Sequence, residues 1–223
     1  MRYAKIQSGR FIRRPNRFIA LVELDGCEQV CHVKNTGQCK ELLLPGARVL
    51  VQQADNPTRK TAFDLVAVYK GSRLINIDSQ APNRVAAEYL PRLLPELSLL
   101  RPEVFYGDSR LDFYYEQPGQ RGFVEVKGVT LEQNGVALFP DAPTARGIRH
   151  LQTLRAAVGE GFAAHVLFVV QLQGVEYFSP NPADPAFSAA LRTAAQNGVS
   201  VHAVDCMVQP DGIRAGQPVE IRL

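Results

Sequence analysis

The chain has 223 residues, 46% of them hydrophobic and 21% charged, with four cysteines and no tryptophan. Such values suit a soluble globular chain with a buried core and exclude disordered, collagenous and disulfide-scaffold classes. The longest apolar run, within His165–Gln171, is far shorter than the ~20 residues of a membrane helix, so no membrane association is expected. The net charge of +3 conceals a split. Residues 1–80 carry +6 and residues 81–223 carry −3, and the first seventeen residues hold six basic groups and no acid. An electropositive N-terminal part suits a polyanion, because phosphate neutralisation releases counterions.

The first part reads as β. Arg17–Leu24 alternates, with Phe18, Ala20, Val22 and Leu24 expected on one inward face. Asp25-Gly26 signals a hairpin turn, because such turns need positive φ. Glu28–Lys34 returns, Gly37–Leu43 suits a single helical turn, and Pro45-Gly46 turns the chain into a strand at Arg48–Gln53. Thr61–Tyr69 and Leu74–Asp78 complete five short strands, which predicts a small β-barrel of the OB type.

Ser79-Gln80-Ala81-Pro82-Asn83 punctuates the pattern, so the chain divides into domains 1–80 and 81–223. The second part predicts a helix at Asn83–Leu94, strands at Val104–Tyr106, Ser109–Glu116, Gly122–Leu131 and Val136–Phe139, and a helix at Thr144–Val158. A doubly buried strand at Ala164–Gln171, a helix at Ala186–Asn197 and a last strand at Val199–Asp205 follow. This order predicts a mixed sheet flanked by helices, an α/β domain.

The chemistry concentrates at Ser109-Arg110-Leu111-Asp112-Phe113 and Val124-Glu125-Val126-Lys127. Glu125 and Lys127 share a strand face, and an antiparallel neighbour brings Asp112 beside them. Two carboxylates and the Val126 carbonyl are hard oxygen ligands suited to Mg²⁺ or Mn²⁺. Lys127 is placed to orient or deprotonate a metal-bound water attacking a phosphodiester. The competing reading is a surface ion pair, Glu125 with Lys127 or Asp112 with Arg110. Charges amid apolar strand residues are costly unless paired or placed in a solvated site.

This Asp…Glu-x-Lys core after a helix resembles the PD-(D/E)XK nucleases. More specifically, the chain resembles the sugar fermentation stimulation protein A family. The matching stretches include Gly9-Arg10-Phe11-Ile12-Arg13-Arg14, Asn35-Thr36-Gly37, Leu44-Pro45-Gly46, Ala81-Pro82-Asn83, Tyr106–Phe113, Val124–Lys127 and Phe139-Pro140-Asp141-Ala142. The resemblance implies an OB-like domain, a PD-(D/E)XK nuclease-like domain and DNA binding, and the family's name implies a link to sugar metabolism. It makes Asp112 and Glu125 metal ligands, Lys127 the catalytic lysine and Glu88 an additional acid on the first helix. It leaves two functions in view, a Mg²⁺-dependent deoxyribonuclease and a non-enzymatic DNA-binding regulator on a nuclease-like scaffold. Two departures are visible. Ile148 stands where the family has an amide, and Gly128 follows the lysine where the family has Asn.

For DNA contact, without sequence specificity, the leading residues are Arg13, Arg14, Arg17, Lys34, Asn35 and Arg149; Lys40, Arg59 and Lys60 extend that surface. Phe11 and Phe18 suit the core, with base stacking as the alternative. His150 has two readings, phosphate contact or a structural histidine. Asp141 is read as a turn residue before the second helix or as a further acid. Cys27, Cys31, Cys39 and His32 lack zinc spacing, and the cysteines read as small buried thiols. Four cysteines with no export signal predict reduced thiols in a cytoplasm. No P-loop or dinucleotide fingerprint is present, so no nucleotide cofactor is expected.

Overall fold

The computed structural model describes every residue of the chain except Thr36 and Pro57. The first part holds β1 (Ile6–Asn16), β2 (Ile19–Leu24), β3 (Cys27–Val33), β4 (Arg48–Gln53), β5 (Phe63–Lys70) and β6 (Arg73–Asn76). They run in the order β3-β2-β1-β4-β5-β6, and a parallel pairing of β3 with β5 closes five of them into a barrel of OB topology. The count of five matches the expectation, but the membership differs. β1 was not anticipated, because only Phe11 of its eleven residues is buried and its polar side chains break the alternation. Arg73–Asn76 lies outside the closed ring as an extension of β5. The β2–β3 hairpin turns on Asp25 and Gly26, both at positive φ, as the dipeptide predicted.

Ala20, Val22 and Leu24 face the barrel interior, whereas Phe18 sits in the β1–β2 turn with half its surface exposed. The period-2 pattern therefore holds only from Ile19 onward. Residues Gly37–Leu43 form no helix, although Leu43 N–H donates to Cys39 O over one isolated turn. Cys31, Cys39 and Cys206 are buried and Cys27 is exposed, which corrects the expectation for that thiol.

The second part begins with α1 (Ala81–Leu93), then β7 (Leu99–Tyr106), β8 (Ser109–Gln117), β9 (Gln120–Val129), β10 (Leu131–Gln133) and β11 (Val136–Phe139). Next come α2 (Ala145–Gly159), β12 (Ala163–Val170), β13 (Tyr177–Pro180), α3 (Pro185–Gln196), β14 (Ser200–Gln209), β15 (Gly212–Pro218) and β16 (Glu220–Ile221). The main sheet has the order β15-β14-β12-β9-β8-β7, with β9, β12 and β14 mutually parallel and the outer strands antiparallel. β10, β11, β13 and β16 make a second, smaller sheet. The chain thus continues past the strand expected to be its last, through β15 and β16, whose Gly- and Pro-containing or very short segments carry little apolar pattern.

β12 explains the layering. Val166, Phe168 and Val170 join one core cluster with Leu151, Leu154 and Leu191 of the helices α2 and α3, while Leu167 and Val169 join another with Val85 and Leu90 of α1. A strand buried on both faces needs helices on both sides. That second cluster also takes Leu50, Val66 and Ala67 from the barrel, so apolar packing is continuous across the junction. Polar bonds cross it too. Gln171 Nε2 donates to Asn76 Oδ1 at 2.8 Å, Lys70 Nζ meets Glu132 Oε2 at 2.7 Å, and the Met1 amine reaches Glu88 and the Ile213 carbonyl. Among the described residues no helix is long and apolar enough to cross a membrane.

Candidate metal and nucleic-acid site

The β8–β9 ladder runs from Gln117↔Gln120 to Phe113↔Val124 and stops there. Asp112 and Glu125 are the next facing positions. Instead of pairing by backbone, Asp112 turns its Oδ2 to accept the Val126 N–H at 2.7 Å, and its Oδ1 accepts Asn83 Nδ2 at 2.8 Å. Glu125 is 2% exposed. Its Oε1 accepts Lys127 Nζ at 2.6 Å and is bonded to His150 Nδ1 of α2. Its Oε2 is buried and has no partner among the described residues. An ionised oxygen left bare in the interior costs several kcal/mol by order of magnitude, so this atom is a candidate ligand for a cation.

The carboxyl groups differ in their proton affinity. Burial raises the Asp112 carboxyl above the ordinary aspartate value, and the negative Glu125 beside it raises it further; the Val126 N–H, Asn83 and Lys127 offset only part of this. Burial also pushes Glu125 up, but the His150 hydrogen bond and the Lys127 ammonium overcome it and hold Glu125 below the ordinary glutamate value. Two adjacent carboxylates, one reluctant to ionise, suit a site whose charge is completed by a cation.

These groups line a cleft of about 280 Å³. Its other walls are Asn83 and Pro82 from the start of α1, Arg146 and His150 from α2, Gln171 after β12, and Asn35 and Ser79 from the first part of the chain. The helix starts are determined locally. Pro82 occupies the first turn of α1, and Thr144 caps α2 by accepting the Gly147 N–H at 3.0 Å. Gly128 is explained by the same crowding. A β-carbon there would stand 2.6 Å from both Gln171 Oε1 and Pro82 Cγ, so a larger residue would force these side chains to shift. Ile148 packs against the apolar core and does not line the cleft.

The cleft gathers Asp112, Glu125, Val126, Lys127 and Asn35 among the residues expected from sequence. Glu88 is not brought to it. Its carboxylate is 53% exposed and pairs with the Met1 amine at 3.1 Å. Five residues beyond Asn83 on a helix, it lies roughly 140° around the axis. Sequence reasoning missed Asn83, Arg146 and Gln171 as site residues. The Ala81-Pro82-Asn83 helix start was the available signal for the first, since an amide at that position faces the end of the sheet.

The basic residues separate into two groups. Arg14 is engaged internally, donating to the carbonyls of Arg17, Asn35, Gly37 and Gln38 at 2.6–2.9 Å. Lys34 pairs with Asp64 at 3.4 Å and Asp78 at 3.3 Å, with its side chain only 18% exposed. Arg59 forks onto Asp64. Arg13, Arg17, Lys40, Lys60 and Arg149 are all exposed. Asp141 accepts the Gln38 N–H at 3.0 Å and ties the 35–38 loop to the second part of the chain. Thr36 of the Asn35-Thr36-Gly37 stretch lies outside the described residues. Among the described residues no group of three His, Cys, Asp or Glu side chains is arranged to hold a metal. The oxygens that could hold a cation in the cleft are the two carboxylates and the Val126 carbonyl, a sparse set that suits a cation keeping several waters.

Comparison with known proteins agrees with this architecture. The family model for the SfsA N-terminal OB domain matches residues 12–77, and that for the sugar fermentation stimulation protein RE domain matches residues 80–212. Sugar fermentation stimulation protein homologs from Ruminiclostridium cellulolyticum and Desulfitobacterium hafniense are 50% and 52% identical over 100% of this chain and 100% and 99% of their own. The structure of Pyrococcus furiosus SfsA in complex with Ca²⁺ superposes with a TM-score of 0.91 at 26% identity, covering 100% of this chain and 98% of that one. The chain belongs to the sugar fermentation stimulation protein family.

Proposed function

We propose that the protein binds DNA without sequence specificity and carries a divalent-cation phosphodiesterase site, with Asp112, Glu125 and the Val126 carbonyl as the ligands of Mg²⁺ or Mn²⁺. The observation that carries this reading is the buried Oε2 of Glu125, which has no partner among the described residues and lies beside a second carboxylate. The Ca²⁺ of the Pyrococcus furiosus relative adds support, because Ca²⁺ is likewise a hard cation that takes oxygen ligands. A bound Mg²⁺ would polarise a phosphate oxygen and acidify a water.

The chain's own residues do the rest. Asn83 and the Val126 N–H orient Asp112. His150 holds Glu125 from α2 and keeps it ionised. The Lys127 ammonium, next to Glu125 in the cleft, orients water and stabilises charge building on phosphate. Arg146, at the exposed mouth, is placed to take a phosphate oxygen. Glu88 has no role in this set. The free thiols, three of four buried, suit a reducing compartment, and we assign the protein to the cytoplasm.

Plasmid and linear duplex DNA incubated with Mg²⁺ or Mn²⁺ test the reading. Products accumulate with the native chain, and Lys127→Ala slows them by about a hundredfold or more. Cleavage undiminished by Lys127→Ala would remove the assignment. A second reading, a DNA-binding scaffold without turnover, is favoured by one observation: Lys127 and His150 both converge on one Glu125 oxygen, which occupies the lysine. Cation-dependent DNA binding without cleavage supports that second reading.

A further inference from the structure

The β1–β2 turn carries a half-exposed aromatic ring. Phe18 is 50% exposed, although burying such a side chain is favourable. The tip that presents it is rigid. Asn16 Oδ1 accepts the N–H groups of Phe18 and Ile19, and Phe18 O accepts the Val33 N–H. Arg14 ties the Arg17 carbonyl to those of Asn35, Gly37 and Gln38, and the Gln38 N–H is held in turn by Asp141. The Arg17 guanidinium lies 5.7 Å from the Phe18 ring centroid.

Beside this tip is a groove of about 330 Å³. Arg17 and Lys40 line it, Leu43 supplies apolar wall, and no carboxylate is among its described lining residues. Asn35, on the same clamped loop, lines the metal cleft. A cationic groove with an exposed ring at its edge matches a backbone phosphate and a base face, the two features every nucleotide of an unpaired strand offers. A closed duplex hides its base faces in the stack.

We infer that the Arg17–Phe18 tip and its groove hold an unpaired nucleotide, so that DNA with a single-stranded segment is the preferred substrate class. This rests on the DNA-binding reading above. The occupant is a nucleotide of the same strand that passes the Arg14-clamped loop into the cleft.

The test compares one mixed-sequence oligonucleotide as a single strand and as a blunt duplex, by fluorescence anisotropy at equal salt. The single strand binds more tightly. Phe18→Ala weakens it by about tenfold or more and leaves the duplex within about twofold. Phe18→Trp introduces the protein's single tryptophan, and single-stranded DNA quenches its emission by stacking. Duplex binding as tight as single-strand binding, equal weakening of both by Phe18→Ala, or unquenched emission from a bound Phe18→Trp protein would overturn the inference while leaving DNA binding intact. No binding of either form by the native chain would overturn the DNA-binding reading itself, and this inference with it.

Discussion

In the barrel, four of the cations behind the +6 of residues 1–80 are engaged inside the protein. Arg14 holds four carbonyls, Lys34 and Arg59 meet Asp64, and Lys70 meets Glu132. In the second part the reverse holds. Its net charge is only −3, yet Glu125 is buried beside a half-buried Asp112, with one oxygen that has no partner among the described residues and an aspartate carboxyl raised above its ordinary value. Formal charge therefore overstates what the barrel offers a polyanion and understates what the cleft offers a cation. Available valence, not the count of ionisable residues, separates a structural charge from a functional one.

Breaking a structural charge should cost folding. Arg14→Ala strands four carbonyls, and we expect a loss of about 2 kcal/mol, read from urea unfolding. Arg14→Lys recovers little of it, because an ammonium lacks the guanidinium fork. Unchanged stability would mean that Arg14 is free for DNA after all.

Acid sensitivity gives a smaller effect. Burial pushes the Asp64 carboxyl up, but the Arg59 fork and Lys34 pull it below the ordinary aspartate value. A carboxylate lowered in the folded state contributes stability that is present above its unfolded pKa and lost as pH falls through its folded one. The stability advantage of the native chain over Asp64→Asn should thus be full at neutral pH and shrink below about pH 4. A gap that stays constant through the acid range would contradict the pairing.

The smallest effect is expected at Glu88. Its exposed pair with the Met1 amine is worth little. Glu88→Gln should leave Mn²⁺ affinity, measured by titration calorimetry, within about twofold of the native value. A tenfold loss would bring this acid into the site.

Much of this was legible before the structure. Asp112, Glu125 and Lys127 stood out because charges inside apolar strands demand an explanation, and the strand register then brings them together. The helices α2 and α3 were visible from their apolar stripes and stop signals. What stayed hidden had little apolar signal or depended on distant partners. β1 buries one side chain on a strand rich in arginine, and β16 has two residues. Phe18 continued an alternation that the turn interrupts. Glu88 looked like a site acid because a sequence shows its charge but not its azimuth on the helix. Lys34 and Arg14 looked like phosphate contacts because Asp64, Asp78 and the loop carbonyls that engage them lie elsewhere in the chain.

A crystal of the native protein soaked in Mn²⁺ tests the central claim most directly. The account predicts an anomalous peak bonded to Asp112, to Glu125 through Oε2, and to the Val126 carbonyl. An ordered site with both carboxylates in place and no peak between them, under conditions where Mn²⁺ binds elsewhere on the protein, would contradict it.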